Sequence, residues 1–122
     1  VTTGATSAEV AGRAFIVHAY DGSRIACALL GDGATLSATS FALYPGSSSN
    51  LAVSGGVSQM VTAGTTQYFD YSFSGLDPLC SSGSGSAPNS CGIHIHSGKT
   101  CTDHALVRRH LRHTRFLLAG GC

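Results

Sequence analysis

The chain has 122 residues, of which 43% are hydrophobic, 11% are charged and 16 are glycine. That length fits one domain with a single modest core. The composition excludes a charged coiled coil, disorder driven by charge repulsion and, with no long apolar run, a membrane-spanning helix. The net charge of +1 joins two unlike pieces. Residues 1–107 hold three basic and six acidic side chains, whereas residues 108–122 hold four arginines and no acid. A folded region over 1–107 and a basic tail over 108–122 are therefore expected. No secretion leader is read at Val1, so a mature product or a segment of something longer is expected.

Residues 12–20 (GRAFIVHAY) and 24–30 (RIACALL) are apolar runs separated by Asp21-Gly22, a hairpin signal. Residues 34–44 alternate and end at Pro45-Gly46. Residues 51–61 read as one or two strands split at Gly55-Gly56. Residues 66–74 (TTQYFDYSF) alternate, with Tyr68, Asp70 and Ser72 on one face and Phe69, Tyr71 and Phe73 on the other. Tyr68, Phe69, Tyr71 and Phe73 are expected to include core-facing aromatics, with a binding platform as the alternative. Residues 75–90 form a Gly/Ser/Pro/Asn loop, and residues 92–97 (GIHIHS) a short strand. Short strands between turn residues indicate an all-β sandwich or barrel. The tail differs: residues 104–119 are expected to be helical, capped by Asp103 and Gly120.

Five cysteines in a small Ser/Thr/Gly-rich chain point to an oxidising, extracellular setting. Their number is odd, so one is free or paired outside the chain. Cys80 and Cys91 flank residues 81–90, where a bridge would close a short loop. No clustered zinc spacing of the CxxC kind is present.

His94 and His96 lie two apart on a predicted strand, which puts both imidazoles on one face. Neutral imidazoles on a rigid strand can hold a borderline metal, and copper binds such sites most strongly among common divalent ions. Two surface histidines on an edge strand is the plainer reading. His18 adds a third imidazole in an apolar strand, where a satisfied core histidine is the alternative.

Three motifs together resemble the copper/zinc superoxide dismutases. Residues 92–96 (GIHIH) look like their G-x-H-x-H strand, residues 12–18 (GRAFIVH) like their late G-R-x-x-x-V-H strand, and residues 23–27 (SRIAC) like the strand after it. The resemblance covers about residues 1–101, weakly in the middle, and is best to copper-only extracellular repeat-type members. It implies a Greek-key β-sandwich or flattened barrel. It also implies His18, His94 and His96 as copper ligands, Arg24 as the group that attracts and orients superoxide, and a Cys27–Cys101 disulfide. His110 stands where the fourth ligand is expected, with His104 as the fallback. The provisional pairing is then Cys27–Cys101 and Cys80–Cys91, with Cys122 left over.

The sequence also departs from that family. It has no zinc loop, so copper is the expected metal and zinc is not. The order is rotated: residues 1–30 look like the end of a domain and residues 31–101 like its start, with intervening strands missing. In a permuted domain, residues 1–30 complete the sandwich within the chain. In a head-to-tail arrangement they complete a neighbour, giving rings or filaments, with Cys122 available for an intermolecular bridge. Copper-dependent disproportionation of superoxide to dioxygen and hydrogen peroxide is the expected function. The alternatives are a structural subunit of an extracellular fibre and a copper-holding domain without turnover. Nucleic acid is not an expected partner, because the arginine-rich tail lacks aromatic platforms or a known motif.

Overall fold

The computed structural model describes residues 2–32 and 35–111, together with the strand at Phe116–Leu117. Gly120 and Cys122 lie outside the described residues, and so do residues 112–115 and 118–119 of the expected tail helix. The protein is built mainly of antiparallel β-structure. No helix among the described residues is long and apolar enough to cross a membrane.

The Asp21-Gly22 turn connects β1 (Ala14–His18) to β2 (Arg24–Leu29), as the hairpin signal predicts. Gly22 takes the positive φ of 81° that such a turn requires. These strands belong to a five-stranded sheet ordered β3 (Ala42–Leu43), β2, β1, β8 (Gly92–Ile95) and β9 (Phe116–Leu117). Two smaller sheets pair β4 (Ser54–Val57) with β7 (Tyr71–Ser74), and β5 (Val61–Ala63) with β6 (Thr66–Tyr68).

Period-two alternation sorts the large sheet into two faces. Phe15 and Val17 of β1, with Ile93 and Ile95 of β8, enter the main core. Val57 is buried there too, and Phe69, Tyr71 and Phe73 pack against it, so the smaller β4–β7 sheet contributes to the same core. Phe15 is fully buried, with Phe41 and Phe69 edge-on at centroid distances of 6.1 and 5.9 Å. The opposite face carries a second cluster of Ala14, Ile16, Cys27, Tyr44 and Val107.

Residues 1–30 and 31–101 meet in one chain through β1 and β8, which pair from Phe15↔Ile95 to Val17↔Ile93. The Cys27–Cys101 disulfide also closes within the chain, with Cα atoms 5.7 Å apart. Cys80 and Cys91 are bonded as well, pinning the loop that follows a short 3-10 turn at Pro78–Ser82. The contact that a head-to-tail arrangement would place between subunits is made here inside one.

Several sequence expectations change. Gly55-Gly56 does not split a strand but lies within β4. A Cβ on Gly55 would sit 2.1 Å from the Ser72 carbonyl oxygen, so glycine there permits close backbone approach. Residues 66–74 form two strands, because β6 pairs with β5 and β7 with β4. In the stretch 34–44, the described residues 35–44 yield only the bridge at Ala38 and the short β3. A helix not anticipated, α1 (Ser7–Val10), begins where the Glu9 carboxylate accepts from the Thr6 N–H at 2.8 Å. Among the described residues of the expected long helix, only a single turn is helical, α2 (His104–Val107). Asp103 caps it as predicted, accepting from the Ala105 N–H at 2.8 Å, but Arg108 then takes a φ of 62° and ends it. Residues beyond it return to β8, through an antiparallel His96–His110 bridge and the pairing of β9.

Candidate metal centre

The second face of the large sheet also bears the histidines. Ile93 and Ile95 turn into the main core, so their neighbours His94 and His96 point to the other side. Both are buried. His18 ends β1 on that face, two residues beyond Ile16. His110 reaches it because it bridges His96, and residues directly opposite across a ladder share a face. The segment is held by the Ser97 N–H on the Arg109 carbonyl and the Leu111 N–H on the Ile95 carbonyl.

Ligand atoms of His18, His96 and His110 lie within 4.8 Å of one another. His94 is packed into the same cluster: its ring stacks on His110 at 4.1 Å and meets His18 edge-on at 4.8 Å. Gly92 makes room for it, since a Cβ there would lie 2.5 Å from His94 Nε2. Of the two residues the sequence offers for a fourth ligand, His110 joins the cluster. His104 packs instead against Tyr44, with ring centroids 5.6 Å apart.

Hydrogen bonds fix two of the imidazoles. His18 Nδ1 lies 2.9 Å from the Gly22 carbonyl oxygen, and His96 Nδ1 lies 3.0 Å from that of Arg108. A carbonyl only accepts, so each Nδ1 carries the proton and each Nε2 keeps its lone pair. Both Nε2 atoms are buried and make no hydrogen bond among the described residues. An imidazole oriented by a carbonyl, with its other nitrogen unsatisfied and turned toward more imidazoles, is the usual arrangement of a metal-binding histidine.

Burial keeps His18, His96 and His110 neutral. Burial lowers the His18 pKa to about 4, helped by the nearby His110 and Arg24 and opposed by the Gly22 hydrogen bond. Burial likewise lowers His96 to about 3, with His110, Arg24 and His18 adding to the effect against the Arg108 carbonyl. His110 is lowered too, by burial and then by Arg24. The lone pairs are therefore free of protons at neutral pH. Three neutral imidazoles suit a transition-metal ion, and the residues fit such a group.

Arg24 reaches this face through a strand irregularity. Regular pairing would set Ile25 opposite His18 and leave Arg24 on the core side with Ala26. Instead the register slips between Val17 and His18, so that Val17 pairs with Ala26 and His18 with Arg24. Ile25 is the extra residue and is buried in the main core. A bulge of this kind re-aims the next side chain, here onto the histidine face. Arg24 then lines a surface hollow of about 290 Å³ with Asn89, Arg109 and His110. No carboxylate among the described residues lines that hollow, and His110 is the half-buried member of the trio.

The HxH spacing and the three motifs pointed to His18, Arg24, His94 and His96 in the sequence. They did not point to Tyr44, whose hydroxyl accepts from Arg24 Nη1 at 2.7 Å, or to Arg109. Tyr44 follows a strand-like stretch and precedes a turn, so nothing local marks it. Comparison with known protein families, curated proteins and solved structures finds no match for this chain.

Proposed function

We propose that this protein is an extracellular copper-binding domain that disproportionates superoxide, with a dismutase-type Greek-key arrangement permuted within one chain. The observation that carries the reading is the trio His18, His96 and His110 beside an arginine-lined hollow. His18, His96 and His110 would hold the ion, with His94 packed against them as a further donor. Copper, when bound, would supply a one-electron redox couple, so that one superoxide is oxidised to dioxygen and another, taking two protons from solvent, is reduced to hydrogen peroxide.

The chain's own residues do the remaining work. The carbonyls of Gly22 and Arg108 hold His18 and His96 in the tautomer that leaves Nε2 available. Arg24 and Arg109 make the hollow electropositive, which raises the local concentration of a small anion beside His110. The disulfides accord with an extracellular setting. The pairing of β1 with β8 supports the permuted arrangement over the head-to-tail one.

Titration with copper, followed by electron paramagnetic resonance and a superoxide assay, tests the reading. One bound copper with nitrogen ligands and copper-dependent superoxide consumption are expected. Bound copper without turnover would leave a copper-holding domain. Absence of bound copper at equimolar addition would overturn the metal centre itself.

A further inference from the structure

Tyr44 is 3% exposed, and its ring packs in the cluster of Ala14, Ile16, Cys27 and Val107. Its backbone N–H donates to the Ile25 carbonyl at 3.0 Å, fixing it beside the bulge that turns Arg24. Its hydroxyl accepts from Arg24 Nη1 at 2.7 Å. The guanidinium carbon lies 5.4 Å from the Tyr44 ring centroid, so the hydroxyl makes the close contact. Arg24 lines two hollows, one with Tyr44 and His104, the other with Asn89, Arg109 and His110. It therefore stands between them, tied on the Tyr44 side.

We infer that Tyr44 is a positioning residue: its hydroxyl anchors the Arg24 guanidinium at the mouth beside His110 and Arg109, making a preset subsite for small anions. The inference rests on the anion-facing role proposed for Arg24. A long arginine side chain at a surface mouth otherwise samples many rotamers, and ordering it on binding would cost affinity. A hydrogen bond from a charged donor to a buried, immobile acceptor makes that ordering in advance. The bulge directs Arg24 to this face, and the tyrosine selects its position there.

The test uses Tyr44→Phe, which keeps the buried ring and removes only the acceptor. Arg24→Gln is the reference. Sulfate titration of the metal-free protein at constant ionic strength, followed by NMR of the Arg24 guanidinium, is the first readout. Wild-type protein should bind sulfate at this mouth, Tyr44→Phe about tenfold more weakly, and Arg24→Gln more weakly still. Equal affinity in wild type and Tyr44→Phe, or no sulfate binding by wild type, overturns the inference. Copper stoichiometry should be unchanged in Tyr44→Phe, and its loss would assign Tyr44 a structural role in the metal centre instead. In the copper-loaded protein, Tyr44→Phe should slow superoxide consumption while keeping its salt dependence, because the charge remains. A wild-type protein without superoxide activity would defeat the dismutase reading, and the sulfate result would still decide the role of Tyr44.

Discussion

Acidification should destabilise the metal-free protein through its buried histidines. His18 is 2% exposed and His96 0%. Each has a folded pKa below the unfolded value of 6.5, about 4 for His18 and about 3 for His96. A lowered folded pKa means that the unfolded chain takes up the proton first. The stabilisation is therefore complete above pH 6.5 and is lost as pH falls toward the folded values. Each pH unit within that window costs about 1.4 kcal/mol per histidine. Between pH 6.5 and about 4, His18 alone accounts for roughly 3 kcal/mol, and the pair for the order of 5 kcal/mol. That is comparable to the whole stability of a small domain. Urea unfolding of the metal-free protein with its disulfides intact should show this fall, with a slope approaching two protons. His18→Gln should remove about one proton from the slope. A urea midpoint unchanged across the window, or folded-state ring titrations near 6.5, would refute the burial argument.

Other predictions follow from packing and cross-links. Replacing Cys27 and Cys101 together, with a separation of 74 residues, should cost about 4 kcal/mol, against about 3 kcal/mol for Cys80 and Cys91 with a separation of 11; urea unfolding of the two double variants checks the order. Phe15→Ala should destabilise by about 3–5 kcal/mol, because the ring is fully buried against Phe41 and Phe69; a thermal midpoint near that of the wild type would contradict this packing. In Gly98→Ala the new Cβ would lie 2.1 Å from the Leu106 carbonyl and 2.5 Å from that of Val107. The segment carrying Arg108 and His110 should move outward, at a cost of about 1–3 kcal/mol and with weaker copper binding. Isothermal titration measures the binding, and unaltered copper affinity would show that this segment does not position the centre.

The local parts of the site were legible. Asp21-Gly22 marks the hairpin, and the HxH period places His94 and His96 on one face. The alternation at residues 66–74 correctly separates the core-packed Phe69, Tyr71 and Phe73 from Asp70 and Ser72, even though the strand breaks between them. What escaped is set by distant contacts. The bulge at Ile25 depends on how β2 meets β1, and no residue type announces it. The glycines of β4 look like breakers locally but answer to the closeness of Ser72. Helix propensity in residues 108–111 yields to the attachment of His110 to His96, a tertiary preference that outweighs local tendency. The capping pattern Thr6-Ser7-Ala8-Glu9 was readable, and α1 could have been found from it.

The most direct measurement is the electron paramagnetic resonance spectrum of protein given one equivalent of Cu(II), in wild type and in His18→Gln, His96→Gln and His110→Gln. The account predicts one copper with several nitrogen ligands in wild type and an altered or lost spectrum in each variant. A wild-type spectrum of free copper, or variant spectra identical to that of wild type, would contradict it.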